Sequence, residues 1–356
     1  MNPNKTNFDF LIVGGGITGC LMTYLLRKSG YTTFLIHQSK RGDSTPVSSG
    51  IINPVTGMRF VKTWNYEKIM PIVKSIYSEI EMAYDTKFMH YHDMIVEFKS
   101  IEEENNWQLR MAELEYAAYC KLFDSSSSND FVLQKEKQYG LIENVMRVDI
   151  SKICNKIIQK LQDENLCIEE EFDHSKLEVK DEFIQYKNSH TFHKVIFCEG
   201  HLVNNNPFFS WLPIIKLKGE RILFDAKPTN QKILHSNYSI IPIHNQFWVG
   251  ANYSLTDKNY VITAEETDNL NNFTASNLAS SHLFSNQDFG FRPSSRDRRP
   301  IIGAHPKYPN LLIFNGMGTK GASLAPYCAD FLLKHFIHKD PIPDEISIKR
   351  FVKKMT

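Results

Sequence analysis

Phe10-Leu11-Ile12-Val13-Gly14-Gly15-Gly16-Ile17-Thr18-Gly19-Cys20 is an apolar run that empties into glycines and then into a helical pattern. It reads as strand, tight turn, helix. Gly14, Gly16 and Gly19 fit G-x-G-x-x-G, in which the first glycine makes the turn, the second lets a pyrophosphate approach the backbone, and the third lets helix pack on strand. A diphosphate there would sit on the helix N-terminus, where unpaired N–H groups and the helix dipole favour negative charge. Glycine-rich turns also occur in ordinary buried βαβ units. The flanks favour a dinucleotide site: Leu21, Leu25 and Leu26 continue an apolar helical face, Gly30 stops the helix, and Thr33 to Ile36 gives a second strand.

Dinucleotide folds usually place an acid after that second strand, on the ribose hydroxyls. This chain has His37-Gln38. Gln38, or a neutral His37, can still accept a hydrogen bond from a hydroxyl. Lys40 and Arg41 keep open NADP with its 2′-phosphate, or simply two solvated charges.

Ser48-Ser49-Gly50-Ile51-Ile52-Asn53-Pro54-Val55-Thr56-Gly57-Met58-Arg59 is too rich in turn residues for regular structure and too apolar for the surface, so it is expected to line a site or to cross the interior. Tyr66 to Tyr84 is helical by its apolar spacing, and residues 101 to 122 read as a charged amphipathic helix. His90 and His92 share one face of a strand, but no third ligand is identifiable and no metal site is expected. The serine-rich stretch Ser125 to Asp130 reads as a loop tip. Arg147-Val148-Asp149 leads into a helix through Leu161, and Lys194 to Cys198, followed by Gly200, reads as a further parallel strand. Ile214 to Leu217, Arg221 to Phe224, Tyr238 to Ile243 and Phe247 to Val249 alternate as strands of an antiparallel sheet, closed by a helix over 263 to 283. A second glycine-rich turn, Gly316-Met317-Gly318-Thr319-Lys320-Gly321, follows the strand Leu311 to Phe314 and opens another helix.

The chain has 356 residues, 42% hydrophobic and 23% charged, enough for two domains around a sizeable core. With 41 basic against 40 acidic residues, the net charge of +1 offers no field for DNA, RNA or an anionic membrane. Small-molecule partners are expected. No apolar stretch flanked by positive charge precedes the first strand, and no run of eighteen apolar residues follows, which points to the cytoplasm. The six cysteines lack C-x-x-C spacing and read as buried thiols.

Four stretches together resemble the D-amino-acid oxidase superfamily of FAD-dependent oxidoreductases, most nearly its glycine oxidase and sarcosine oxidase branch. They are Ile12 to Gly19, Ser48 to Asn53, Gly290-Phe291-Arg292-Pro293 with Asp297, Pro300 and Gly303, and Gly316 to Pro326. The resemblance implies an α/β fold: a Rossmann-type FAD-binding domain from residues 1–84, 141–210 and 285–356, and an antiparallel-sheet substrate domain from 85–140 and 211–284. It implies oxidation of a small amine or amino acid by hydride transfer from Cα–H to flavin N5, giving an imine, with oxygen or another acceptor taking the electrons. Gly14, Gly16, Ile17, Thr18, Gly19, Gln38 and Gly200 would hold FAD, with Ser48, Ser49, Gly50 and Ile51 beside the isoalloxazine. Gly316, Gly318, Thr319, Lys320 and Gly321 would face its pyrimidine end, where reduction places negative charge.

Arg292 matches the branch's carboxylate-binding arginine and, with Lys320, is the expected catalytic residue; Tyr238, Ser239 and Ile52 complete the expected substrate contacts. Ser239 stands where the branch has a carboxylate-contacting tyrosine, and Thr319 where it has a second arginine. No cysteine lies near Arg292, so FAD is expected to be noncovalent. A related branch oxidises a carboxymethylaminomethyl group on tRNA, and Asn53-Pro54-x-x-Gly57 resembles its loop. The neutral charge argues against tRNA unless Lys216, Lys218, Arg221 and Arg296, Arg298, Arg299 form one patch. A flavin- or NADP-binding module without turnover is the third reading.

Overall fold

The computed structural model describes residues 6–125, 130–187 and 190–354; the centre of the serine-rich loop, 126–129, lies outside the described residues. The glycine signature sits at the middle of a mostly parallel sheet. Its strands run in the order Cys167–Glu169, Thr33–His37, Thr6–Val13, His190–Phe197, Leu311–Asn315, with Ile301–Ala304 antiparallel at the edge. Leu177–Val179 and Ile184–Tyr186 add antiparallel to the first half of His190–Phe197. Strand side chains alternate between faces. Phe10 and Ile12 therefore pack with Leu21, Leu25, Ile153 and Leu332 from the helices Ile17–Lys28, Ile150–Asp163 and Gly321–His338, while Leu11 and Val13 meet Phe34, Phe197 and Phe209 on the other side.

The second sheet runs Leu283–Ser295, Ile214–Asp225, Gln246–Gly250, Ser239–Ile243, Ile233–His235, Met89–Glu97, Tyr139–Val148, Ile51–Ile52, antiparallel except where Ile233–His235 meets Met89–Glu97. One face buries Ile222, Leu234, Ile240, Phe247 and Val249 beneath Leu270 of the helix Ala264–Asn277. The other face roofs a cavity.

Four expectations are corrected. Ile214 to Phe224 is one strand, not two, and it pairs along its whole length with Leu283–Ser295, which places the Gly290 to Arg292 stretch in a strand. The helix expected over 263 to 283 stops at Asn277, and the one expected over 101 to 122 stops at Ala112. The loop after Ser48 is partly regular: Ile51 and Ile52 pair with Arg147 and Met146. Among the described residues, no helix is long and apolar enough to cross a membrane.

Candidate active site

The two glycine turns and the free face of the antiparallel sheet enclose one cavity of 520 Å³. Gly14 has φ +111°, and a Cβ there would overlap the Cys198 carbonyl, so only glycine lets the first strand's end touch its neighbour. Gly19 and Gly316 do not line the cavity; a Cβ on Gly19 would overlap the Gly14 carbonyl, so this glycine lets helix sit on turn. At Gly16 a Cβ would find only Thr45 Oγ1, 3.3 Å away, and would project into the cavity. The helix start has no side-chain cap on Gly16; Ile17 N–H donates to Thr45 Oγ1 at 3.2 Å.

The second turn is docked by Gly318 N–H donating to the Pro293 carbonyl at 2.8 Å, which brings Gly318, Thr319, Lys320 and Gly321 beside Arg292 on the cavity wall. Lys320 Nζ donates to Thr63 Oγ1 at 3.2 Å; burial, and then the Arg299 charge, hold its ammonium below the usual lysine range. Gly200 lines the cavity with φ +55°, and its carbonyl accepts from Asn315 Nδ2 at 2.9 Å. Ser48, Ser49, Gly50, Ile51 and Ile52 line the opposite side, fixed where Val148 N–H donates to the Gly50 carbonyl at 3.0 Å and Trp248 Nε1 donates to the Val47 carbonyl at 3.0 Å.

Arg292 reaches the cavity from the roof. Nη1 donates to the Asn252 carbonyl at 3.1 Å, the guanidinium stacks 4.8 Å from the Tyr253 ring centre, and no carboxylate lies within 4.0 Å of it among the described residues. Burial holds its pKa below the ordinary arginine value, opposed by Tyr253. Ser239 lines the same roof. Tyr238 does not: one residue along a strand reverses the face, and its ring packs 5.2 Å from Phe273 on the far side.

At the other end, Gln38 is exposed on the cavity rim, but the buried neighbour is His37, whose Nε2 has no hydrogen-bond partner among the described residues. Burial lowers its pKa, more than Glu169 raises it, leaving the ring neutral at pH 7. Lys40 pairs with Glu171 at 2.5 Å, and Arg41 lies 5.3 Å from the Phe289 ring centre. Lys40, on the cavity wall, is thus already paired with a carboxylate, and Arg41 does not line the cavity. The basic patch required for tRNA is broken as well: Lys218 is fully buried, paired with Asp257 at 2.6 Å and Glu220 at 3.1 Å.

Residues 9–334 match the family described as DAO, FAD dependent oxidoreductase. The chain belongs to this family. FAD is the cofactor of this DAO-family oxidoreductase, and three observations fit it: the cradle at Gly16 that a side chain would fill, the Nε2 of His37, unpartnered among the described residues, and two helix starts, at Gly16 and Lys320, whose N-cap residues supply no side-chain cap, facing one cavity. The same fold occurs in iminodiacetate oxidase from Chelativorans sp. BNC1, with TM-score 0.75 and 18% identity over 94% of this chain and 97% of that one. Glycine oxidase from Bacillus cereus ATCC 14579 gives TM-score 0.77 and 14% identity over 94% and 96%. L-α-glycerophosphate oxidase from Mycoplasma pneumoniae, solved with FAD bound, gives 0.71 and 16% over 92% and 94%.

Thr45, Trp248, Arg221 and His235 also line the DAO-family cavity, and no motif in the sequence marks them as its residues. His37, by contrast, carries a signal in its place at the ribose-acid position.

Proposed function

We propose that this enzyme dehydrogenates a small amine that carries a carboxylate, an amino acid in the simplest case, with Arg292 as the carboxylate clamp. The observation that carries this is a guanidinium on a cavity wall with no protein carboxylate within 4.0 Å among the described residues. A desolvated charge without a counter-charge is costly, and a ligand anion removes that cost. The planar fork can grip both carboxylate oxygens, which fixes the substrate's orientation as well as its position. Structures of the same fold are named for iminodiacetate, glycine and L-proline, which supports a carboxylate beside the reacting nitrogen.

In this reading Gly14, Gly16, Ile17 and Thr18 would hold the pyrophosphate, Ser48 to Ile51 would flank the isoalloxazine, and Gly318 to Gly321 would face its pyrimidine end. Bound FAD would supply a two-electron acceptor for the hydride of Cα–H, the amine losing its N–H proton and becoming an imine. The protein's work is positioning: Arg292 fixes the carboxylate, Ile52 and Trp248 exclude water, and Lys320 places positive charge at the second helix start. The test is anaerobic bleaching of the flavin by carboxylate-bearing amines and their carboxyl-free analogues. Faster bleaching by the former is expected; equal bleaching by both kinds overturns the proposal.

A further inference from the structure

The register of the roof sets a polar pair at a fixed remove from Arg292. His235 lies opposite Ser239, Ser239 opposite Gly250, and Gly250 opposite Arg221. Directly opposed residues share a face of the sheet, and all four border the cavity. Gly250 has no side chain, so this row is a trough with the arginines at one end and His235 with Ser239 at the other. Arg292 lies over Gly219, two residues from Arg221 on the same strand and face. Three strand spacings, about 14 Å, separate the strand of Gly219 and Arg221, over which the Arg292 guanidinium lies, from that of His235. Trp248 and Ile241, each two residues along from the row, make the trough's wall apolar.

His235 Nδ1 and Ser239 Oγ are 2.9 Å apart, the imidazole's one hydrogen bond among the described residues. Burial and the Lys99 charge, against the weaker pull of Glu103, lower the ring's pKa to about 4, so at pH 7 one nitrogen donates and the other accepts. A neutral donor and acceptor in an apolar wall matches a neutral polar group and penalises a methyl in its place, because the methyl leaves buried polar atoms unpaired.

We propose that His235 and Ser239 form the subsite for the substrate's side chain, and that the substrate is an amino acid whose side chain ends in a neutral hydrogen-bonding group, a hydroxyl or carboxamide. The proposal rests on Arg292 as the carboxylate clamp. Its test is anaerobic flavin reduction in the holoenzyme by homoserine and by norvaline, which has a methyl where homoserine has its hydroxyl, each enantiomer separately. Homoserine is expected to reduce the flavin with about tenfold or greater second-order efficiency. The homoserine-to-norvaline ratio is expected to fall toward one in His235→Phe and in Ser239→Ala, and to be partly kept in His235→Gln, a pattern that a general loss of packing would not produce. A wild type that does not discriminate, or a ratio that survives both substitutions, overturns the subsite while leaving the amino-acid reading intact. If no carboxylate-bearing amine reduces the flavin, the amino-acid reading falls and takes the subsite with it.

Discussion

The guanidinium of Arg292 lies flat across the backbone of Gly219 on the neighbouring strand: a Cβ at 219 would overlap Cζ and both terminal nitrogens. Gly219→Ala is therefore expected to push the guanidinium off its seat without touching the cofactor cradle. Catalytic efficiency with carboxylate-bearing amines should drop about tenfold or more, one charged hydrogen bond's worth, at an unchanged flavin-to-protein ratio. Wild-type kinetics in that variant would place the working position of Arg292 elsewhere.

Removing the charge itself is the stronger perturbation. Arg292→Ala should cost about 1.5 to 3 kcal/mol in kcat/KM, roughly tenfold to a hundredfold, with folding and flavin content retained. Arg292→Lys should recover only part of this, since a point charge attracts the carboxylate without aligning it. Steady-state kinetics with a carboxyl-free amine, which should be indifferent to both substitutions, provides the internal control.

Gly16→Val should abolish flavin binding, because the cavity's open space begins where that side chain would stand. In the wild type, acid precipitation should release the flavin to the supernatant. The cavity's thiols, Cys154 and Cys198, are buried, and burial pushes Cys198 far above the usual thiol range, so it is a poor nucleophile toward the ring. Flavin left in the pellet would reveal a covalent bond.

Lys320→Met should make the flavin harder to reduce and weaken sulfite binding, since both processes place negative charge on the ring. The sign with pH follows from the lowered lysine pKa: the ammonium's contribution disappears as pH rises through a folded value below 10.5. Sulfite affinity in the wild type should fall on the alkaline side, and the Lys320→Met curve should lack that fall.

Acid should destabilise the fold well before the carboxylates titrate. Burial lowers the pKa of His90, His201 and His235 to about 4, against about 6.5 in the unfolded chain. Between those values the unfolded state binds more protons, so stability rises with pH, by at most about 1.4 kcal/mol per pH unit for each histidine, and is lost as pH falls from 6.5 toward 4. Thermal melts from pH 7 to pH 5 should show Tm falling; a flat Tm would mean these rings are charged in the fold.

What the sequence carried plainly was local. Gly14 and Gly19 announced the cradle because each answers a contact within the turn or on the adjoining strand, Gly16 because it lies bare on the cavity wall, and the apolar strands of the first sheet are buried on both faces. Ile214 to Asp225 was harder to see, because Lys218-Gly219-Glu220 looks like a turn. Those charges are buried in the strand's interior, where Lys218 pairs with Glu220 and Asp257. Tyr238, one residue before the position of the branch's tyrosine, lies on the opposite face as a period of two requires, and so drops out of the expected substrate contacts. His235 carried no signal at all: its partner is four residues away across a turn, and its cavity is assembled from strands scattered between Val13 and Asn315.

The first sheet also sets an order of events for the chain as it is made. Thr6–Val13 can pair with Thr33–His37 at once, but its other neighbour is His190–Phe197, and that strand in turn waits for Leu311–Asn315. Contacts so distant in sequence carry a large loop-closure entropy and form slowly. A ribosome must therefore extrude the chain from Gly14 through Gly316 before the second glycine turn can close on the first, and until then the nucleotide cradle stands half-walled, with its apolar edge a natural client for chaperones.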